Sequence, residues 1–322
     1  MLTIDLKPKW DKVSKSRDLT SDKGLLLSSE CHASLYISIN PERCRYLILA
    51  LPKSFHIDLN AVKKDKISIE LDRDKNYVFL TLYDPIYHDL FDDLIISLHN
   101  TIKDIHEVDE YSRIFVQTYY KWSQFFDDEI LDKLSRNEIQ GLFGELIILK
   151  SMLQKTTASK VNDVLESWKG PYDQGHDFIL DDKDIEVKTQ FNSKTTIRIS
   201  SENQLESTDQ RDLELTVVSV EFNLNDGVSI RILAENINEI ANKFLGDPSI
   251  FLKALRQKGL SFVNLKSYDN WRFKTRGITT YDCLNPLFPK IIRSTINSSI
   301  SGVKYNINLK NLDAFINAKE GT

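Results

Sequence analysis

Short runs in the first hundred residues alternate between apolar and polar positions, a pattern typical of strands with one buried face. The alternation predicts four strands, at residues 34–39, 46–51, 67–71 and 77–82. From residue 87 to 112 the apolar positions recur at helical spacing, and the aromatic-rich run 111–126 is also predicted as helical. The N-terminal part is therefore predicted to be β-rich, and the acidic stretch 127–132 marks its boundary.

The clearest helix begins after Ser135. Ser135 and Glu138 have the spacing of a capping box, and residues 139–153 place apolar side chains on one helical stripe. Beyond this helix the pattern predicts further strands, a second capping box that opens a short helix, and two amphipathic helices. The strands are predicted at residues 176–180, 184–190, 196–199, 213–222, 228–233, 271–280 and 303–309, with the second capping box at 201–204.

One carboxylate interrupts the apolar stripe of the clearest helix. Glu145 falls between Met152 and Leu149 on a helical wheel. A carboxylate in that position costs free energy unless it is paired or bound to a metal ion. Gly141 and Gly144 beside it would let another element approach closely. The alternative is that Glu145 caps or forms a salt bridge within the core.

Composition bounds the class of protein. The chain has 322 residues, of which 41% are hydrophobic and 28% charged, the balance of an ordinary soluble globular protein. We predict a β-rich N-terminal domain at residues 1–125 and an α/β domain at 126–322. Three scattered cysteines without a CxxC pair argue against a zinc ribbon or a disulfide scaffold and suit a reduced, cytoplasmic compartment. The longest apolar runs are strand-length, so no membrane span is expected.

Charge is unevenly distributed along the chain. The net charge is −5, yet residues 253–310 contain eleven Lys and Arg against two acidic residues, which leaves −14 on the remainder. Such asymmetry suggests a polyanion site on the C-terminal part, with a solvated basic face as the alternative.

The most informative segment is the predicted hairpin at residues 176–190. If residues 181–182 form its loop, cross-strand pairing places Asp177 directly opposite Glu186. Opposed side chains lie on one face with their Cβ atoms roughly 4.5–5.5 Å apart. A four-residue loop keeps this register, whereas an odd-length loop or a bulge breaks it.

Two opposed carboxylates destabilise a sheet unless something compensates their charge. A divalent cation held by both would do so, because hard oxygen ligands suit Mg²⁺. Strand alternation places Lys188 and Gln190 on the face of Glu186, and Lys188 could orient a water nucleophile or stabilise charge that develops on phosphate. The alternative is an exposed hairpin with scattered charges, but Ile185 and Val187 make this strand core-like.

Together these residues resemble the PD-(D/E)XK, or restriction-endonuclease-like, nuclease superfamily. Its core runs helix, antiparallel strands, helix, strand, with a Glu on the helix, an Asp on the second strand and E-x-K on the third, here Glu145, Asp177 and Glu186-x-Lys188. A bacterial family of such proteins, associated with restriction and phage-defence loci, is similar over residues 120–315. The matching motifs lie at residues 141–146, 168–170, 177–178, 186–189, 200–205, 288–290 and Tyr305. His176 stands where the literal motif has Pro.

The resemblance implies a mixed sheet flanked by helices and Mg²⁺-dependent DNA cleavage, with Mn²⁺ able to substitute. Asp177 and Glu186 would be metal ligands, Glu145 an outer or second-metal ligand, and Lys188 and Gln190 further catalytic groups. Expected partners are DNA, proteins of a defence system and a second copy of the chain in a homodimer. The rivals are a non-catalytic DNA-binding or assembly subunit that retains the fold, and a nuclease for RNA.

Two sets of residues are candidates for holding DNA. Arg272, Lys274 and Arg276 alternate with apolar residues on a predicted strand and could follow a phosphate backbone. Ser201 and Gln204 could cap a helix whose N-terminus meets a phosphate. The alternatives are a solvated strand face near acidic residues for the first set and a simple capping box for the second.

Overall fold

The computed structural model describes residues 4–15, 24–126, 134–207 and 211–321. The chain divides into two compact units, one formed by Met1–Ile130 with Asp247–Ser249, the other by Leu131–Gly246 with Ile250–Thr322. The acidic stretch 127–132, where a boundary is predicted, lies outside the described residues. The division into domains at 1–125 and 126–322 stays a prediction.

The first unit is built on a six-stranded antiparallel sheet, because its apolar residues alternate along short strands. The strands pair in the order β1-β2-β3-β6-β5-β4. Their bounds are β1 Leu25–Leu26, β2 Ser34–Ile39, β3 Arg45–Ala50, β4 Val62–Lys63, β5 Ile67–Asp72 and β6 Tyr77–Leu82, and the helices are α1 Lys7–Lys15, α2 His88–Ile102 and α3 Val108–Ser123. The four predicted strands are confirmed. The predicted helical run 87–112 is wrong as one element, since the chain turns after Ile102 so that α2 and α3 pack on each other.

The second unit contains a mixed sheet in the order β11-β12-β10-β8-β7, with β14 paired to β12. Only the β8–β10 pair of this sheet is parallel among the described strands. The elements are α4 Arg136–Lys155, α5 Val161–Ser167, β7 Phe178–Ile179, β8 Lys183–Phe191, β9 Thr196–Ile199, β10 Asp212–Phe222, β11 Val228–Ser229, α6 Ile230–Lys243, α7 Pro248–Gln257, α8 Phe262–Leu265, β12 Arg272–Asp282, β13 Tyr305–Asn308 and β14 Ile316–Gly321. The predicted α/β class, a mixed sheet flanked by helices, is confirmed.

Strand β10 lies at the centre of this unit and is buried on both faces. Val218 and Val220 contribute to a core formed with α4 and α6. Leu213, Leu215 and Val217 face a smaller core, which is closed by a two-stranded ribbon made of β9 and β13. Neighbouring β8 is therefore mostly buried, and polar side chains on it sit at the edge of a low-dielectric interior.

One predicted strand is wrong because a helical signal overlaps it. Residues 228–233 alternate like a strand, but only Val228–Ser229 extends the sheet. The Ser229 hydroxyl accepts a hydrogen bond from the Ile232 amide at 3.4 Å and caps α6. Residues 230, 233, 234 and 237 then bury one face of that helix, so tertiary packing selects the helix over the strand.

The close approach predicted beside Glu145 occurs at Gly144. A Cβ added to Gly144 would lie 1.8 Å from Oγ1 of Thr189 on β8, so only glycine fits there. The same role predicted for Gly141 is wrong, because a Cβ on Gly141 would meet nothing within 4 Å. Helix α4 therefore approaches β8 at one turn, the turn that also carries Glu145.

Gly144→Ala is expected to destabilise the fold by about 1–3 kcal/mol, the usual cost of overfilling a packed contact. Gly141→Ala is the matched control on the same helix, and it should stabilise by up to about 1 kcal/mol through helix propensity. Urea unfolding followed by circular dichroism measures both. Equal shifts in the two variants would show that α4 does not approach β8 as described.

Within the described parts of the chain, none of the helices combines the length and apolar character needed to cross a bilayer.

Candidate active site

The hairpin β7–β8 has the predicted register. Phe178 pairs with Ile185, Ile179 with Asp184, and the Leu180 amide donates to the Lys183 carbonyl at 2.9 Å. Extended by one residue beyond the start of β7, the same register sets Asp177 opposite Glu186. The loop length therefore sets which acidic residues meet across the hairpin.

Asp177 is held by hydrogen bonds to its backbone and to its side chain. Its carbonyl accepts hydrogen bonds from the amides of Lys169 and Gly170, at 2.7 and 3.0 Å. Its carboxylate Oδ2 accepts from the Val187 amide at 2.8 Å. The side chain is thus fixed beside β8, with Oδ1 directed towards the position a Cβ on Gly170 would occupy, 2.9 Å away.

Glu186 and Lys188 lie on one face of β8, as strand alternation predicts. Glu186 is buried, with 2% of its side chain exposed, and its Oε1 accepts from Nζ of Lys188 at 2.6 Å. The Lys188 side chain keeps 17% exposure and reaches a cleft. A short charge-assisted bond of this kind fixes the position of the ammonium.

Glu145 projects from α4 into the same region. Its Oε2 accepts from the indole Nε1 of Trp168 at 2.8 Å, and Trp168 is itself buried against Phe251. The same Oε2 would lie 2.5 Å from a Cβ on Gly170, so Glu145 and Asp177 both border the space left by that missing side chain. A neutral donor, and not a salt bridge, therefore holds this carboxylate.

Burial and the repulsion between neighbouring carboxylates raise the pKa values of these acids. Burial first, and then the nearby Asp177 charge, raise the pKa of Glu186 to about 8. The same two causes raise the pKa of Glu145 to about 8, against the opposing Trp168 hydrogen bond and the Lys258 charge. Burial also raises the pKa of Asp177, although the Val187 amide opposes it. Three acids that repel one another define a place where a cation would be stabilised.

The donor chemistry fits a divalent ion of the hard-oxygen type. No set of three or more His, Cys, Asp or Glu side chains that could hold a metal ion is found in the described ranges. Mg²⁺ usually retains several waters and is bound through one or two carboxylates, so such a set is not required. Buried Oε1 of Gln190, on the face of Glu186, has no partner among the described residues and could accept a hydrogen bond from a water. Asp177, Glu186 and Glu145 are therefore the residues that would hold the ion.

His176 is packed and lies outside this group. It is 4% exposed, and its Nδ1 lies 3.3 Å from Oδ2 of Asp184, whose other oxygen accepts from Arg211. The departure from a literal Pro-Asp motif therefore places a buried histidine against a structural ion pair.

The acids lie in a cleft of about 1280 Å³ with basic walls. Glu145, Asp177, Glu186 and Lys188 line it together with Gln190. Sequence reasoning missed four other cations that line it, Arg136, Lys194, Arg198 and Lys304. Arg198 could have been found from the alternation of β9, in which Ile197 and Ile199 are buried and Arg198 is exposed.

The predicted DNA-binding stripe on β12 does not line this cleft. Arg276 instead pairs with Glu221 across the sheet, with Nη2 2.6 Å from Oε2, and Arg272 donates to the Asp269 carbonyl at 3.2 Å. A bulge in the β10–β12 pairing breaks the alternation. Lys274 stands opposite Glu221 in the register. The structure thus places an acidic residue, Glu221, beside the stripe. The role of the stripe in DNA binding stays a prediction.

The helix predicted to begin at Ser201 is wrong, because this segment forms turns. Gln204 Oε1 accepts from the Ser200 amide at 2.7 Å, yet Glu202 turns inward and accepts from the Val303 amide at 2.9 Å. The hydrogen bond between Glu202 and the C-terminal loop therefore stabilises turns here in place of the predicted helix. Gln204 lines the cleft, whereas Ser201 does not.

A mixed sheet that carries Asp and Glu-x-Lys on a hairpin, with a helical Glu beside them, defines the nuclease-like PD-(D/E)XK class. The family described as "Putative PD-(D/E)XK family member, (DUF4420)" matches residues 6–310. The chain belongs to this family, in a superfamily whose nucleases generally use divalent metal ions. Neither a curated protein nor a solved structure matches the chain.

Proposed function

We propose that the chain is a Mg²⁺-dependent endonuclease that hydrolyses phosphodiester bonds in DNA, within a bacterial restriction or phage-defence system. The observation that carries this proposal is that Glu145, Asp177, Glu186 and Lys188 line one cleft together with several basic side chains. A binding module has no need of three acids, one buried and two half-buried, whose repulsion costs stability.

The side chains have distinct tasks in this proposal. A bound divalent ion supplies positive charge against the scissile phosphate and makes a water more acidic. Lys188, fixed by Glu186, donates a hydrogen bond to a phosphate oxygen as negative charge develops there. Gln190 holds a water through its unpartnered Oε1. Trp168 keeps Glu145 turned towards Asp177.

A cleavage assay tests the proposal. The protein is incubated with supercoiled, linear and phage-modified DNA, and with RNA, in Mg²⁺, Mn²⁺ or EDTA. We expect cleavage of supercoiled DNA in Mg²⁺ or Mn²⁺ and none in EDTA. Binding of DNA without cleavage in any metal would favour the non-catalytic subunit, and cleavage of RNA alone would overturn the substrate.

Mg²⁺ binding at pH 7 is expected to release protons, because Glu145 and Glu186 have pKa values of about 8 in the metal-free protein. Affinity should therefore rise as the pH rises towards 8. Since both values lie above the ordinary 4.5, these groups stabilise the metal-free fold at acid pH, and that contribution is lost as the pH rises through about 8.

Calorimetry in buffers with different ionisation enthalpies measures the protons released. Glu186→Gln should reduce the number, while Glu214→Gln on neighbouring β10 should leave it unchanged. A binding enthalpy that is the same in every buffer would contradict the raised pKa values.

A further inference from the structure

The ribbon of β9 and β13 has one apolar and one polar face. Ile197 pairs with Ile307 and both are buried in the smaller core. The alternate positions point outward, where Arg198 pairs with Asn306 and both are exposed. Lys304, just before β13, continues this exposed face. The ribbon is thus anchored to the fold by one face and presents amides, hydroxyls and cations on the other.

The polar face lines the cleft that holds the acids. Thr196, Arg198, Lys304 and Asn306 are part of its lining, and Lys194 joins them from the turn that connects β8 to β9. Because that turn follows directly from Glu186 and Lys188 on β8, the ribbon begins a few residues from the candidate catalytic groups.

The cations of this face have no bonding partner within the described ranges of the chain. In the parts of the chain that the structure describes, the side chains of Lys194, Arg198 and Lys304 make no hydrogen bond or ion pair. Elsewhere in the unit, Arg211 and Arg276 are paired with carboxylates. Free cations along a cleft attract a polyanion.

Spacing suits a polymer of phosphates better than a single anion. Arg198 stands opposite Asn306, so Lys304 is its diagonal neighbour across the ribbon, at a Cα separation of roughly 7–8 Å. Lys194 lies two residues before Thr196, in the connection that leads into β9, and also lines the cleft. Cations at separate positions along the cleft can each meet a separate phosphate, while one small anion could not contact them all.

We propose that the outer face of the β9–β13 ribbon binds the sugar-phosphate backbone of DNA through Arg198, Lys304 and Lys194, and so guides the strand to the acids. This inference rests on the proposed function and adds the surface that holds the substrate. Contacts to phosphate position DNA without reading its sequence. This surface is separate from the β12 stripe, which does not line the cleft and whose role in DNA binding stays a prediction.

The test is the salt dependence of DNA binding, measured by fluorescence anisotropy on a labelled duplex in EDTA, where no cleavage is expected. The double substitution Arg198→Gln with Lys304→Gln should lower the slope of log affinity against log salt by about two, at about 0.9 per lost phosphate contact. Unrelated duplex sequences should be affected alike. The control, Lys155→Gln with Lys319→Gln, removes the same charge from two exposed lysines that do not line the cleft and should leave the slope unchanged.

Equal slopes for the ribbon variant and the wild type would overturn the proposal, as would equal losses in the ribbon variant and the control variant. Thermal unfolding checks that both variants fold. If the ribbon variant lowers the slope but the wild type cuts no DNA in Mg²⁺, the proposed ribbon surface is supported and the proposed endonuclease activity is contradicted. If the wild type cuts DNA but the ribbon variant leaves the slope unchanged, the endonuclease activity is supported and the ribbon surface is contradicted.

Discussion

Asp177→Asn and Glu186→Gln are each expected to lower DNA cleavage on the order of a thousand-fold or more. Each substitution keeps the shape of the side chain but removes the charge that would hold the metal ion. A bound ion contributes several kcal/mol to the transition state, and each 1.36 kcal/mol is a factor of ten in rate. The amide oxygen introduced by Asp177→Asn can still accept from the Val187 amide, so this variant keeps the local hydrogen bond.

The stability of the two variants shows whether a loss of cleavage comes from the lost metal site or from an unfolded protein. Removing one of several mutually repelling acids that are buried or half-buried should leave the metal-free protein at least as stable at pH 8 as the wild type. Glu214→Gln, at a β10 carboxylate that pairs with Lys183 away from the cleft, is the matched control and should keep full activity. Wild-type cleavage rates in both Asp177→Asn and Glu186→Gln would show that the metal site lies elsewhere.

Lys188→Met is expected to reduce turnover about 10²–10³-fold, the usual cost of one donor that stabilises developing charge. Lys188→Arg keeps the charge, but a planar guanidinium does not reproduce the compact ammonium held 2.6 Å from Glu186. We therefore expect a large loss there too, with Mg²⁺ affinity largely kept.

Single-turnover kinetics at saturating DNA separates this effect from weaker binding. Lys183→Arg on the same strand is the control, because Lys183 pairs with Glu214 and does not line the cleft. Unchanged turnover in Lys188→Arg would show that only the positive charge at this position matters, and not the compact shape of the ammonium.

Local sequence determined the features that depend on neighbours along the chain. Loop length and alternation set the register that faces Asp177 towards Glu186 and puts Lys188 and Gln190 beside it, because both signals act over a few residues. Helical spacing and the capping box likewise determined α4 and singled out Glu145 as a carboxylate that needs a partner. That partner, Trp168, lies 23 residues away in sequence, so periodicity gave no means of choosing it.

Tertiary structure decided whatever depends on distant segments. The capping signal at 201–204 does not open a helix, because Glu202 instead accepts a hydrogen bond from the Val303 amide in the C-terminal loop. In the alternating run at 228–233, residues 230–233 belong to helix α6, because the apolar face of that helix packs on α4. Arg276 and Arg198 both lie on strands with polar outer positions, and no local pattern distinguishes them. Cross-strand neighbours do, because Glu221 neutralises Arg276, while Arg198 faces Asn306 in the cleft and has no ion-pair partner among the residues that the structure describes.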